Sequence, residues 1–555
     1  MSVPSLFNER MSFIKLENEE VHNTEEEQCF LCGKQNKTGS DDVPLQQCAS
    51  CQKIWYCSED HYEVHRHKDR CFPFLIKRSP TKGRFMVATR DIEPLEMILW
   101  EKPAVIGPYT KDASGCLQCF KHMTSERECS QCGLPVCSQK CEQGRLHQEE
   151  CRFFRNRSQL FPKEEINVKT RNATQTCITP LRMLLKRKTD PKAFARIEML
   201  MDHATSKLGA NRGTLNMTML KVVCMIREQF HCSDFTKTDI QRMIGILKTN
   251  GMKLETAGEN GTPGVALYPI YCLINHACIN NTNYVKYPDL HLELRSQLPI
   301  KKGTEILTRY ISSTVGNVRR REDIERYWFF RCECPRCSDS TEFGTFMSGV
   351  RCFQCRNGFL LQSEINDLAS DWACNRCSSR VPHKNVNEVL TTIEKQTDLD
   401  APLCIETMEE MLFHYQKLLH PNNYIIIDIM HNLIHLYAGK ESLTRPEKER
   451  KIQLCHIVLD ILGRVDPGFT TWRGTLLQEM IHTLMVISKE DHNAARISEK
   501  EFHRRLNYCS RKLREAKLCL NGGFTPLEVY LKEKEQQMGD LENDAWEREM
   551  TDENT

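Results

Sequence analysis

The fold of this chain is decided by a stretch that reads Cys116-Leu117-Gln118-Cys119, then Cys129-Ser130-Gln131-Cys132, Cys137-Ser138-Gln139-Lys140-Cys141 and His147-Gln148-Glu149-Glu150-Cys151. Eight thiol and imidazole side chains at this spacing can close two tetrahedral zinc sites. So short a segment has too little apolar surface to fold alone, so bound metal must supply its stability. We expect the pairs to interleave, with one ion on Cys116, Cys119, Cys137 and Cys141 and the other on Cys129, Cys132, His147 and Cys151.

A second stretch repeats this plan near the N-terminus. Its predicted ligands are Cys29, Cys32, Cys48, Cys51, Cys57, His61, His67 and Cys71. His61 stands where the other finger has Cys141, and His65 competes with His67 as a ligand. Imidazole can replace thiolate at zinc. We predict two bound ions here, with a degenerate one-ion finger as the alternative.

Two further cysteine clusters follow. Cys332, Cys334 and Cys337 offer three ligands, so a fourth must come from elsewhere, and spacing alone cannot show that it is Cys278. Zinc-ribbon spacing relates the four residues Cys352, Cys355, Cys374 and Cys377. Each site has four protein ligands and no open position, which indicates about six structural zinc ions rather than a hydrolytic metal centre.

Composition narrows the class of protein. The chain has 555 residues, and 76 Lys and Arg nearly balance 74 Asp and Glu, so no basic field indicates nucleic acid as a partner. No apolar run approaches the roughly 20 residues of a membrane span, and Met1 to Glu20 lack a signal-peptide core. We therefore expect a soluble protein of cytoplasm and nucleus, in which the 29 cysteines bind metal or pack as thiols. Its oligomeric state is open.

The motifs around the finger carry a family resemblance. The finger at 116–151 resembles a MYND finger. Gly83-Arg84-Phe85 and Ile98-Leu99-Trp100-Glu101-Lys102-Pro103 stand before it, and Asn275-His276-Ala277-Cys278 stands after it. This order resembles the SMYD family of SET-domain lysine methyltransferases, in which a MYND finger splits the SET domain. The additional N-terminal finger and the zinc ribbon are most similar to the arthropod SmydA branch.

The resemblance implies an α+β fold, with a β-rich SET core split by the finger, a post-SET zinc site and a C-terminal all-α, TPR-like domain. No clean 34-residue repeat supports a TPR array. The implied order is a disordered 1–28, N-terminal MYND-like finger 29–71, first SET part 72–115, MYND finger 116–151, helical SET insertion 152–249, SET core 250–331, post-SET site and ribbon 332–380, helical domain 385–535 and acidic disordered tail 536–555.

The resemblance also implies residue roles. S-adenosylmethionine would contact Lys82, Gly83, Arg84, Asn250, Asn275, His276, Tyr310 and Phe330. Tyr310 would lie near the transferred methyl group, and Trp328 would line the lysine channel. Cys278 would complete the post-SET zinc site with Cys332, Cys334 and Cys337. The partners implied are lysine-containing protein substrates and, at the MYND fingers, proline-containing peptides.

Three positions depart from the family pattern. Phe85 replaces the last glycine of a Gly-x-Gly motif, and Ala277 replaces a serine. Trp328 stands where active members place a second tyrosine, although a one-residue slip would bring Tyr327 inward. Two functions therefore stay open. The first is a protein-lysine N-methyltransferase acting on histone or non-histone proteins, and the second is an inactive SET–MYND adaptor in transcriptional regulation. The substrate, the target lysine and the degree of methylation cannot be read from the sequence.

Overall fold

The structure is a computed structural model that describes residues 28–35, 44–109, 115–123, 127–155, 168–203, 213–254, 264–397 and 404–520. The disorder predicted for 1–28 falls on residues outside these ranges except for residue 28, and the predicted acidic tail at 536–555 lies wholly outside them. Within the described ranges, every helix is too short or too polar to cross a bilayer. The 29 cysteines are all free of disulfides.

The chain divides into two compact units. The first comprises Met1–Ile92 and Pro299–Ile306. Its described residues hold the N-terminal finger, a hairpin and helix α1 (Glu59–His65). Its strands are β1 (Gln46–Gln47), β2 (Trp55–Tyr56), β3 (Arg66–His67), β4 (Arg70–Cys71), β5 (Phe74–Ser79) and β6 (Gly83–Ala88).

The hairpin of the first unit is antiparallel. Strand β5 pairs with β6 from Phe74↔Ala88 to Ser79↔Gly83. The turn ends at Gly83, whose φ of 69° favours a residue without a Cβ atom. The far side of β6 pairs with the segment Glu305 to Ile306. This unit therefore presents the predicted donor loop, residues 82–84, at the end of a sheet.

The second unit comprises Glu93–Leu298 and Leu307–Thr555. Its strands before the zinc-ribbon segment are β7 (Met97–Glu101), β8 (Val105–Pro108), β9 (Met252–Leu254), β10 (Gly264–Leu267), β11 (Asn275–His276), β12 (Thr282–Lys286), β13 (Leu292–Ser296) and β14 (Glu305–Thr308, which begins in the first unit). They form the sheets β8-β10-β9 and β12-β13-β7, both antiparallel. The pair β11–β14 is parallel, with Asn275↔Leu307 and His276↔Thr308.

The zinc-ribbon segment forms a small antiparallel sheet of its own. Its strands are β15 (Val350–Arg351), β16 (Phe359–Gln362), β17 (Trp372–Cys374) and β18 (Arg380–Val381), in the order β15-β16-β17-β18. Gly358 stands directly before β16 because a Cβ atom there would lie 2.5 Å from the sulfur of Cys374.

The described part of the second unit also contains helices. Those before the ribbon are α2 (Gln139–Glu142), α3 (Arg145–Arg155), α4 (Val168–Thr189), α5 (Pro191–Glu198), α6 (Gly213–Cys224, followed by a π-helical turn to Gln229), α7 (Lys237–Asn250) and α8 (Asn317–Trp328). Helix α7 begins with a capping box between Thr236 and Asp239. Helix α8 ends at Trp328, and the next residue, Phe329, adopts the left-handed conformation with φ 64°.

The described residues after the ribbon form the helices α9 (His383–Thr397), α10 (Ile405–Tyr415), α11 (Tyr424–Gly439), α12 (Arg445–Val465), α13 (Thr471–Asn493) and α14 (Glu499–Leu520). From α10 onward each contacts the next. Their buried residues recur at helical spacing, as Leu454, Val458, Ile461 and Leu462 do in α12. The predicted mixture of α and β structure with a helical C-terminal region is confirmed; a TPR-like arrangement remains a prediction.

Candidate functional site

The finger that opened the sequence folds into two interleaved tetrads. The ligand atoms of Cys116, Cys119, Cys137 and Cys141 all lie within 4.8 Å of one another, as do those of Cys129, Cys132, His147 and Cys151. Helix α2 supplies Cys141, and helix α3 supplies His147 and Cys151, which lie one turn apart on one face. The grouping is the one that the spacing predicts.

The N-terminal finger also brings two tetrads together, and it corrects one predicted ligand. The groups are Cys29, Cys32, Cys57 and His61, and Cys48, Cys51, His65 and Cys71. His65 takes the place predicted for His67, with its Nε2 3.2 Å from the sulfur of Cys51. The reason is geometric: His65 is the last residue of helix α1, and its side chain is buried within the tetrad. His67 lies beyond the helix in strand β3, opposite Arg70.

Sulfur–sulfur distances test whether these groups fit zinc. Four ligands on a tetrahedral ion with zinc–sulfur bonds of about 2.3 Å place their sulfurs about 3.8 Å apart. The structure has 3.6 Å between Cys119 and Cys137 and 3.8 Å between Cys129 and Cys151. In the ribbon, Cys352–Cys377 and Cys355–Cys374 are both 3.7 Å. The clusters therefore have the size and donor set of closed zinc sites.

A buried ion pair supports one tetrad of the MYND-like finger from outside. His147 Nδ1 lies 3.3 Å from Oε1 of Glu150, on the side of the ring away from the tetrad. Arg182 of helix α4 donates to both oxygens of Glu150, at 2.7 and 2.6 Å, and to the carbonyls of Ile106 and Leu117. All three charged or titratable side chains are at most 1% exposed. A carboxylate in this position orients a ligating imidazole and fixes its tautomer.

The cluster of three cysteines acquires its fourth member from a distant loop. Cys278 lies with Cys332, Cys334 and Cys337, and its sulfur is 3.4 Å from that of Cys337. Hydrogen bonds from the Cys332, Cys334 and Cys337 thiols hold the pKa of Cys278 well below its ordinary value.

Two buried arginines lie behind this cluster. Arg320 and Arg336 both contact Glu342, at 2.7 and 3.0 Å, and Arg320 approaches the sulfur of Cys337 at 4.0 Å. These three side chains are at most 1% exposed. Two cations against one carboxylate leave a buried positive charge. A zinc site with four thiolate ligands carries two net negative charges and would offset that positive charge. The surroundings of this cluster therefore also fit zinc.

His276 connects this cluster to Tyr310. Its Nδ1 accepts a hydrogen bond from the backbone N–H of Tyr310 at 3.0 Å, so we assign the ring proton to Nε2. That Nε2 lies 3.4 Å from the sulfur of Cys278 and can donate to it. The tyrosine hydroxyl donates to the carbonyl of Ile274 at 2.7 Å. Tyr310 is thus held at both its backbone and its phenol.

Aromatic rings surround Tyr310. The ring of Trp328 lies 5.1 Å away between centroids, and the ring of His276 lies 5.2 Å away. Phe330 is 36% exposed and 6.3 Å from His276. Tyr327 is 53% exposed, so Trp328, rather than Tyr327, is the residue against Tyr310. The structure therefore brings together His276, Tyr310, Trp328 and Phe330, with Asn275 next to His276 in β11.

The remaining predicted site residues lie elsewhere in the structure. Asn250 ends helix α7, and its amide donates to the carbonyls of Met201 and Ile246. Lys82, Gly83 and Arg84 belong to the first unit. There Lys82 pairs with Glu305 at 3.3 Å, and burial lowers the pKa of Arg84. Phe85 is only 6% exposed, and Lys82 Nζ lies 5.9 Å from the centroid of its ring.

A buried carboxylate that the sequence interpretation missed shapes the loop before Asn275. Glu101 accepts the backbone N–H groups of Ile270 and Tyr271, each at 2.9 Å. Burial raises its pKa to about 7. The Tyr271 hydroxyl is 2.9 Å from that of Thr308, and burial raises the pKa of Tyr271 as well. The sequence does contain a signal for this buried carboxylate, because an acidic residue ends the apolar run Ile98-Leu99-Trp100-Glu101.

Comparison with known proteins gives the family. Residues 83–311 match the SET domain family. The chain is 28% identical over 426 residues to the SET domain-containing protein SmydA-8, isoform A, of Drosophila melanogaster, across 73% of this chain and 88% of that protein. The chain is similar to proteins of the SMYD family. It is also 26% identical to the histone-lysine N-methyltransferase ASHR1 of Arabidopsis thaliana, across 62% of this chain and 75% of that protein.

A third relative is the N-lysine methyltransferase SMYD2-B of Xenopus laevis, 26% identical across 47% of this chain and 59% of that protein. The predicted family and its SmydA-like relationship are confirmed, as is a SET domain with several Cys and His clusters. The MYND-type division of the SET domain and the domain boundaries stay predictions.

Proposed function

We propose that this SMYD protein is an S-adenosylmethionine-dependent protein-lysine N-methyltransferase. The observation that carries the proposal is Tyr310, fixed by His276 and Ile274 and faced by Trp328 inside a SET domain. Two relatives with lysine methyltransferase names support the same reaction. The action on histone or non-histone proteins is part of the proposal.

We assign the donor to residues that suit its groups. Asn275, His276 and Phe330 would hold the adenosine end, and Lys82, Gly83, Arg84 and Asn250 would hold the amino-acid end. Arg84 fits a carboxylate because burial lowers its pKa, and an anion beside it would stabilise its charge. When bound, S-adenosylmethionine supplies an electrophilic methyl group on a sulfonium.

The residues around Tyr310 would bind the lysine side chain that accepts the methyl group. A lysine amine attacks only when neutral, although its ordinary pKa is about 10.4. A narrow aromatic channel lined by Tyr310 and Trp328 disfavours the ammonium form and aligns the nitrogen lone pair. The Tyr310 hydroxyl donates a hydrogen bond to the carbonyl of Ile274, and a phenol oxygen can in addition accept weak C–H hydrogen bonds from the methyl group. Alignment of the lysine nitrogen with the methyl group would contribute most of the acceleration of methyl transfer.

We assign structural zinc to the four Cys and His clusters. The ligands would be the residues of the five tetrads described above, with Cys352, Cys355, Cys374 and Cys377 for the ribbon. The fingers would recruit proline-containing peptides or other protein partners, and the C-terminal helices would contribute to that binding. Cytoplasm and nucleus are the proposed locations, because free thiols in such numbers suit a reducing compartment.

Calorimetry with the full chain and S-adenosylmethionine tests the proposal. The native chain should bind the donor, and Asn275→Ala should abolish the binding heat. Methyl incorporation across a lysine-containing peptide array should then fall about tenfold or more in Tyr310→Phe. Tyr327→Phe, at an exposed neighbour, should transfer methyl normally. Absence of both binding heat and methyl incorporation would favour the adaptor function instead.

A further inference from the structure

The loop between helices α12 and α13, residues 466–470, contacts the SET strands beside Tyr310. Asp466 caps the C-terminal end of α12, and Thr470 caps the N-terminal end of α13. Across from this loop lie Asn283, Gln297 and Arg309, all in the same unit. The contacts therefore join the C-terminal helices to the strands that build the candidate site.

A buried charge forms the centre of this contact. The Asp466 side chain is 1% exposed, and its Oδ1 lies 2.6 Å from Nη1 of Arg309. No other cation of the described residues pairs with this carboxylate. The contact is an ion pair rather than a directed hydrogen bond, since neither atom meets hydrogen-bond geometry. A buried carboxylate without its counter-ion is strongly destabilising. Moving the Arg309 guanidinium away from Asp466 is therefore costly, and this cost restrains Arg309.

Backbone contacts fix the loop around that charge. The Gln297 side chain donates to the carbonyl of Pro467 at 3.2 Å, and the N–H of Phe469 donates to the carbonyl of Gln297 at 3.2 Å. Gly468 has a φ of 95°, and a Cβ atom there would lie 2.2 Å from the Gln297 oxygen. Asn283 adds a hydrogen bond to Thr471 at 3.3 Å. Only glycine permits so close an approach of the two backbones.

Arg309 directly precedes Tyr310 in the chain. Anchoring its guanidinium to the helices therefore restrains the peptide that carries the tyrosine, next to the His276 and Ile274 contacts. We propose that Asp466 is a positioning residue, through which the C-terminal helices hold the Arg309–Tyr310 segment in place. This inference rests on the proposed function only for its effect on methyl transfer.

Hydrogen exchange in the full chain tests the restraint without relying on activity. In Asp466→Asn, amides of residues 307–312 should exchange about tenfold faster than in the native chain, while helix α8 should be unchanged. Arg309→Met should give the same pattern from the other partner. The matched control is Asp460→Asn on the same helix, because Asp460 and Arg464 form an exposed pair at 2.8 Å.

Methyl transfer provides the second readout. Asp466→Asn should lower kcat about tenfold with donor affinity within twofold of native, since Asp466 touches neither donor nor substrate. If Asp466→Asn does not fold, the double variant Arg309→Gln/Asp466→Asn, which removes both charges, replaces it. Unchanged exchange at 307–312 in these variants would overturn the proposal. A native chain that transfers no methyl would refute the proposed function alone, because the exchange result would still decide the restraint.

Discussion

At the residue scale, Glu101 makes the stability of the SET core depend on pH. Its carboxylate is buried beneath the loop that leads to Asn275, and it accepts two backbone N–H groups. These hydrogen bonds favour the charged form, but the loss of hydration outweighs them and raises the pKa from 4.5 to about 7. The folded protein therefore binds this proton more tightly than the unfolded chain does.

The sign of the effect on stability follows from linkage. Protonated Glu101 contributes to the free energy of unfolding. This contribution is fully present below 4.5, the pKa in the unfolded chain, and is lost as pH rises through about 7, the pKa in the folded protein. Glu101→Gln cannot ionise, so its free energy of unfolding should fall less between pH 5 and 7 than that of the native chain. The difference should be about 2 to 3 kcal/mol. Urea unfolding at a series of pH values measures it.

Glu410→Gln is the control, because Glu410 is an exposed acid in helix α10, outside the SET strands. Its stability should follow the native pH profile. A Glu101→Gln profile that runs parallel to the native one would mean that Glu101 ionises normally in the folded state.

At the scale of elements, helix α4 and the MYND-like finger are joined by Arg182. The arginine crosses from α4 to Glu150 on α3 and also donates to the carbonyl of Ile106 in β8. Close packing reinforces this contact, since a Cβ atom at Gly107 would collide with Thr179 of α4. One buried guanidinium thus ties a metal-dependent element to a helix and a sheet.

Arg182→Leu should destabilise the chain by about 3 to 5 kcal/mol, because Glu150 would keep a buried charge without its partner. The imidazole of His147 would also lose its fixed support, so zinc should leave that tetrad about 10 to 100 times more readily. Urea unfolding and zinc release to a chromophoric chelator measure the two effects.

Lys186→Met provides a matched control on the same helix. Lys186 pairs with Glu149 at 2.7 Å, one residue before Glu150, but both side chains retain some solvent exposure. This variant should lose less than about 1 kcal/mol and should release zinc at the native rate. Equal zinc release from the two variants would contradict a role of Arg182 in supporting His147.

At the scale of the whole molecule, the metal clusters join segments that are far apart in sequence. The tetrad of Cys278, Cys332, Cys334 and Cys337 connects strand β11 with the segment after α8, and His276 links that tetrad to Tyr310. The candidate site therefore depends on coordination bonds as much as on apolar packing. The C-terminal helices, in contrast, bury rows of Ile, Leu and Val against one another.

Metal removal should separate these two kinds of stability. A strong chelator should abolish S-adenosylmethionine binding by the full chain, while much of the helical circular dichroism from α10 to α14 should persist. Cys278→Ser should likewise weaken donor binding, whereas Cys404→Ser, an exposed cysteine outside the clusters, should not. Donor binding by metal-free protein would show that the site forms without coordination.

Local spacing explains which features could be predicted from sequence. Cys-x2-Cys pairs and the His147–Cys151 turn are set within a few residues, so the interleaved tetrads at 116–151 follow from the chain alone. Periodic apolar residues likewise predict the C-terminal helices. The prediction of His67 as a ligand is wrong, because the spacing of residues in the sequence does not show that helix α1 ends at His65.

The amino-acid sequence by itself determined the metal-binding pairs, the mixed α and β composition and the family, since these depend on short-range patterns and ordered motifs. Only the tertiary structure decided that His65 joins its tetrad, that Cys278 meets Cys332 and that Arg182 and Asp466 find Glu150 and Arg309. These contacts join residues far apart in the chain. Their partners are selected by burial and charge balance in the folded protein, which no local pattern encodes.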